Sequence, residues 1–127
     1  ANPDTYGKFY ADMQMYTTTM TQPDPGRFMD QYTTRELSHK GNKWQGRNIA
    51  RYRNAEYDRM QEQTESELDP VKRAALFIAM NDLLYRDTII VPLISRPRVR
   101  GANLKLVNAL TGWDLDFSAL QDWYRQA

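Results

Sequence analysis

The chain has 127 residues, with 17 Lys and Arg against 16 Asp and Glu, one His and no Cys. This length predicts one compact domain, and the lack of cysteine excludes disulfides, thiolate metal sites and cysteine nucleophiles. A formal charge of +1 argues against nucleic acid as a partner, because binding through counterion release needs a basic surface.

No apolar run approaches the roughly 20 residues that cross a bilayer, so the chain is expected to be soluble and not membrane-spanning. It begins Ala1-Asn2-Pro3-Asp4, with neither an initiator Met nor a charged-then-apolar leader. A processed protein, or a piece of a longer one, is the expectation. Eight Tyr, three Trp, four Phe and six Met sit in a chain of mean hydropathy −0.76. Such side chains line either a core or a pocket.

In chain order, Phe9 to Tyr16 alternates, with Phe9, Ala11, Met13 and Met15 on one side and Tyr10, Asp12, Gln14 and Tyr16 on the other. That pattern predicts a half-buried strand. It continues into the polar run Thr17-Thr18-Thr19-Met20-Thr21-Gln22 and stops at Pro23-Asp24-Pro25-Gly26, where prolines and a glycine end any ladder. Asp24 and Pro25 read as N-cap and first position of a short helix carrying Phe28, Met29 and Tyr32. Residues 33 to 53 show no sustained periodicity and hold His39 and Trp44. A connection this long in a compact domain is more often functional than a short one.

Asn54 caps a second helix with Glu56 and Asp58 in its first turn, and Tyr57, Met60 and Thr64 share a side. Asp69-Pro70 opens a third helix to about Arg86, whose Val71, Ala74, Ala75, Phe77, Ile78 and Leu84 form a broad apolar face. The two helices are expected to form an αα-hairpin. Thr88 to Ile94 reads as a buried strand interrupted by Pro92, and Leu104, Leu106 and Val107 suggest another before Thr111-Gly112. The end fits either a strand over Trp113, Leu115 and Phe117 or a helix over Trp113, Phe117, Leu120 and Trp123.

Catalytic patterns are thin. A Ser/His/Asp arrangement has only His39, with no nucleophile-elbow motif near it. Asp114 and Asp116 would point the same way on a strand and could serve a glycosidase, or simply be solvated acids. Arg96, Arg98 and Arg100 suit either an anion site or a charged edge strand. No phosphate-cradling glycine pattern or metal-ligand spacing appears, and no cofactor is expected. The run Thr17 to Gln22 supplies convergent neutral donors and acceptors without a general base, which suits holding a ligand; β-branched threonines equally suit a strand.

Taken in order, the strand leading to Gln22-Pro23-Asp24-Pro25 with Phe28, then Asn54-Ala55-Glu56-Tyr57-Asp58, then Glu67-Leu68-Asp69-Pro70-Val71-Lys72-Arg73, a helix and Ile90-Val91-Pro92-Leu93 resemble the C-terminal part of the family 5 extracellular solute-binding proteins, the peptide-binding receptors of ABC importers. The resemblance implies an α/β fold, the C-terminal portion of a two-lobed type II periplasmic-binding-protein fold with strands flanking the αα-hairpin. Residues 1–95 would then belong to the second lobe, and 96–127 would be the crossover strand and tail returning to the first. It implies a non-enzymatic, periplasmic subunit that closes on a peptide-like ligand and delivers it to a permease.

Peptide receptors of this family often carry an aspartate three residues before the Asp-Pro, which pairs with the ligand's α-amino group. Here that place is Thr21. A hydroxyl does not neutralise an ammonium ion, so the resemblance points to a modified or longer peptide, or another polar solute such as an oligosaccharide. By position, Thr19, Thr21 and Gln22 are the candidate ligand-lining residues. Trp44 could stack on a ligand or be structural, and Arg47 could pair a carboxylate. Surfaces meant for an absent lobe would leave an apolar patch open to self-association. The alternative from another class is a small hydrolase using Asp114 or Asp116 with His39.

Overall fold

A computed structural model of the chain describes residues 4, 7–20, 22–97, 99, 101–108 and 120–126. The elements, in order, are α1 (Gly26–Asp30), α2 (Ala55–Ser66), α3 (Pro70–Arg86), β1 (Leu106–Val107) and β2 (Tyr124–Arg125), with single 3₁₀ turns at Thr34–Glu36, Lys40–Asn42 and Leu120–Asp122. They fall into two compact units, residues 1–18 with 25–91, and residues 19–24 with 92–127. None of the described helices is long and apolar enough to cross a membrane.

The first unit is helical because its caps and apolar spacing agree. The Asn54 side-chain oxygen accepts from the amides of Glu56 and Tyr57, and that of Asp69 from Val71 and Lys72, with Pro70 in the first position of α3. Each cap satisfies amides that have no partner inside the helix and contributes about 1 kcal/mol. Helix α1 starts one residue later than the sequence suggests, with Pro25 rather than Asp24 as its N-cap. The expected hairpin of α2 on α3 is present, and α1 packs against both.

Met29, Tyr32, Tyr52, Tyr57, Phe77, Met80, Leu83 and Leu84 form one buried cluster. Tyr57 lies at its centre, fully buried, with its hydroxyl donating to the Met29 carbonyl at 2.7 Å and its ring edge-on to Tyr52 at 5.7 Å. A buried tyrosine needs such a partner for its hydroxyl. Arg73 ties the hairpin, donating to the Thr64 carbonyl at 2.9 Å while its guanidinium covers the Phe77 ring. At the other end, the Tyr52 hydroxyl donates to Asp87 at 2.7 Å and accepts from Asn54, which joins the start of α2 to the end of α3.

Residues 33–53, aperiodic in sequence, form a closed loop. Ser38 N donates to Asn48 O and Asn48 N to Glu36 O, a parallel bridge between Leu37 and Asn48. The Asn48 side chain, buried, donates to the carbonyls of Tyr32, Thr33 and Tyr52 and accepts from the Tyr52 amide. Gly46 permits the closure, since a Cβ there would fall 2.3 Å from the carbonyl oxygens of Glu36 and Leu37.

The expected strand arrangement is corrected. Residues 9–16 form no strand, and Tyr10, Met13 and Met15 are exposed. Residues 88–94 form none either; Ile89 and Ile90 pack partly on the core, while Val91, Leu93 and Ile94 are exposed. Alternation and β-branching define a strand's faces but not a partner, and a strand without a neighbour has no ladder to join. Of the apolar face expected for α3, Phe77 and Leu84 are buried, together with Met80 and Leu83, whereas Val71, Ala74, Ala75 and Ile78 face solvent. The strand expected near Leu104 to Val107 is present in the second unit as β1, paired antiparallel with β2 through Leu106 opposite Arg125 and Val107 opposite Tyr124. The pair is extended by Gln126 N donating to Lys105 O.

Replacing Asn48 with Ala takes their donor from the carbonyls of Tyr32 and Tyr52 and their acceptor from the Tyr52 amide, while the Thr33 carbonyl keeps the Glu36 amide; it is expected to cost about 2–3 kcal/mol, read as a lowered denaturation midpoint, and a variant as stable as the parent contradicts the closing role assigned to this side chain.

Candidate functional site

The loop from Thr33 to Arg53 carries three of the residues singled out in the sequence, His39, Trp44 and Arg47, and all are engaged within the helical unit. Arg47 reaches back to α1 and the first 3₁₀ turn. Its Nε donates to Glu36 at 2.9 Å, its Nη1 to the Arg27 carbonyl at 3.2 Å, and its Nη2 to Asp30. Asp30 also accepts from Arg35, at 2.8 and 2.6 Å, and Arg35 bridges on to Glu65 of α2 at 2.7 Å. Two guanidinium groups are thus shared among three carboxylates, with the Asp30 side chain only 13% exposed.

The electrostatics follow from these contacts. The hydrogen bond from Arg47 holds the Glu36 carboxyl below its usual range, against a smaller opposing effect of burial. Arg47 and Arg35 are held more firmly protonated, the first chiefly by Glu36 and the second by Glu65 and Asp30. Paired charges at this degree of exposure fix geometry more than they add stability. All three nitrogens of Arg47 have partners inside the unit, so a ligand carboxylate would have to compete with Glu36 and Asp30 for it.

Trp44, half-buried, stands over the Arg51 guanidinium at 5.6 Å. Arg51 donates to the carbonyls of Ser38 and Phe9 at 3.2 Å each and to that of Lys8. The buried Ser38 hydroxyl donates to Gly7 O at 2.7 Å. Residues 7–9 are therefore fastened to the loop through their main-chain carbonyls. Phe9, Lys43, Trp44 and Arg51 all have φ between 44° and 62°, a region that costs a non-glycine residue about 1 kcal/mol or more and persists only where surrounding contacts require it. Reading the sequence alone did not single out Arg51 or Ser38, because neither lies in a motif; the only trace was a lone Trp near an Arg in an aperiodic stretch.

His39 has a structural role. Its Nδ1 accepts from the Gly41 amide at 3.1 Å, and its own amide donates to Asn42 Oδ1 at 3.0 Å, a reciprocal cap on the second 3₁₀ turn. Thr19 and Gln22 are exposed and belong to the second unit, whereas Trp44 and Arg47 belong to the first. Thr21, Asp114 and Asp116 lie outside the described residues, as do Arg98 and Arg100; Arg96 is exposed. An open depression of about 470 Å³ where α2 passes into α3 is lined by Gln63, Ser66, Glu67, Lys72, Ala75 and Leu76, none of them a residue expected at the site. Among the described residues no cluster of three or more His, Asp or Glu side chains could hold a metal ion.

No family model matches this sequence, and no curated protein or solved structure matches it.

A carboxyl whose folded pKa is lowered stabilises the protein above its unfolded value and loses that contribution as pH falls through the folded value. Glu36, usually near 4.5, and Asp87, usually near 3.8 and lowered chiefly by the Tyr52 hydroxyl, both behave this way. The thermal midpoint is therefore expected to hold from neutrality to about pH 5 and to fall below it. The deficit of a Glu36→Gln variant should be full at neutral pH and shrink toward about pH 3; a deficit that does not change with pH contradicts the assigned ion pair.

Proposed function

We propose that this chain forms the C-terminal part of a periplasmic, family 5-type solute-binding subunit of an ABC importer. In this reading it contributes to a site between two lobes that holds a peptide-like or other polar solute and hands it to a permease without altering it. One observation carries the reading: the helical part of the family resemblance, residues 54–58 and 67–73, also builds the fold. Asn54 caps α2, Asp69 and Pro70 start α3, Tyr57 is the centre of the core, and Arg73 ties the hairpin. Sequence pattern and fold-building chemistry thus coincide over the same stretch.

Two further features support it. The hydroxyl of Thr19 and the amide of Gln22 lie on exposed residues, as neutral groups available to a polar ligand. The apolar residues Met13, Met15, Leu93 and Ile94 are likewise exposed, as expected of segments that pair with further protein. The hydrolase reading has less behind it, because the one histidine uses Nδ1 as a backbone cap. Thr19, Thr21 and Gln22 remain the proposed ligand-lining set.

The reading is tested in the full-length receptor by calorimetric titration against a panel of oligopeptides and oligosaccharides. Thr19→Ala and Gln22→Ala are each expected to weaken the retained ligand about 2- to 10-fold, the range of one lost neutral hydrogen bond. Unchanged affinity in both variants overturns the site.

A further inference from the structure

Three donors converge beside Trp44 in the closed loop of residues 33–53, and the contacts that aim them lie within that loop. The Arg51 Nε is spent on the Ser38 carbonyl at 3.2 Å, and the guanidinium lies against the Trp44 ring. Nη1 and Nη2 are left to donate to the carbonyls of Phe9, at 3.2 Å, and Lys8. The hydroxyl of Ser38, a residue with 0% exposure, donates to Gly7 O at 2.7 Å. Two side chains thus read three consecutive carbonyls, from positions fixed where the buried Asn48 side chain closes the loop.

The geometry points to a binding site for polypeptide main chain, built by Ser38, Arg51 and Trp44, in which residues 7–9 are a resident and exchangeable occupant. Each of the three bonds ends on a main-chain oxygen, and donors of this kind recognise backbone rather than sequence. The Lys8 ammonium is turned away, onto Asp4 of its own segment. The backbone concentrates its strain at the same place. Among the described residues six non-glycine positions have positive φ, and four of them, Phe9, Lys43, Trp44 and Arg51, lie in the site or its occupant. Such strain gathers at ligand clamps.

The strain on the two sides has different consequences. In Trp44 and Arg51 it belongs to the loop and shapes the donors in advance of any ligand. In Phe9, at φ 44°, it burdens the occupant, so a chain that presents its carbonyls without that bend competes with residues 7–9. Arg51 is exposed, which leaves the site open to such a chain. A buried donor such as the Ser38 hydroxyl requires an acceptor, and an incoming carbonyl supplies one. The ligand class is a short peptide whose side chains are unconstrained. The proposal does not depend on the transport reading, whose test concerns Thr19 and Gln22.

Trypsin reports the occupancy, because cutting after Lys8 requires the carbonyl that Arg51 holds. Release of residues 1–8, followed by mass spectrometry, is expected to be about tenfold or more slower from the protein than from a synthetic peptide of residues 1–16. Ser38→Ala and Arg51→Gln should each speed release about 5- to 10-fold. The deciding probe is acetyl-tetra-alanine amide, which offers carbonyls, carries no side-chain function and is not cut by trypsin. Adding it to the wild-type protein is expected to speed release in a saturable way while leaving the rate for the free peptide unchanged. This arm needs no variant, so it decides the matter even if Ser38→Ala folds poorly. Release as fast from the protein as from the free peptide overturns the site. So does protection that neither variant lessens. Release that tetra-alanine leaves unchanged up to its solubility limit overturns it too, and makes residues 7–9 a fixed part of the fold.

Discussion

The buried amide of Asn48 is the constraint on which much of the first unit depends. It sits in a loop without helix or strand, yet it satisfies carbonyls of Tyr32, Thr33 and Tyr52 and an amide of Tyr52. Those groups flank the loop, so one side chain closes it. A buried polar group is tolerated only when its hydrogen bonds are filled, and here the fully used asparagine turns a costly burial into a specific geometry. Arg47 one residue before it and Arg51 three after it are aimed by that closure, the first at Asp30 and Glu36, the second at the main chain of residues 7–9.

Charge and hydrophobic burial divide the labour in this unit. Tyr57, Met80 and their neighbours supply the apolar burial that drives folding. The Asp30, Glu36, Glu65, Arg35 and Arg47 network lies nearer the surface and orients α1, the loop and α2. Tyr52 belongs to both systems, its ring in the core and its hydroxyl on Asp87. Burial first, and the Asp87 carboxylate second, push that hydroxyl's pKa up to about 12.

What could be read from the sequence was local. Asn54 and Asp69-Pro70 announce their helices because a cap acts within a few residues of itself, and the hairpin follows from a short link between two such helices. The loop closure could not be read, because the partners of Asn48 lie up to sixteen positions away and leave no periodic trace. Residues 9–16 and 88–94 carry strand-like patterns, but pairing is a property of two segments. The inward side of α3 was only half legible for another reason: its apolar residues are not confined to one stripe, so the pattern groups Phe77 and Leu84, which face in, with Val71 and Ile78, which do not. For the candidate site, Thr19 and Gln22 stand out in the sequence through their neutral polar chemistry and their position in the resemblance, whereas Arg51 and Ser38 act through carbonyls of a distant segment and have no signal of their own.

Two parts of the chain are open to one experiment, the helical unit closed by Asn48 and the polar stretch at residues 17–22 proposed to line a ligand. Backbone amide exchange of the protein, with and without an oligopeptide mixture, probes both parts at once. The amides of Ser38, Asn48 and Tyr52 are predicted to be protected in either state, and protection at residues 17–22 to rise when ligand is present. Free exchange at Asn48, or a ligand effect that spares residues 17–22 and falls elsewhere, would contradict the corresponding role.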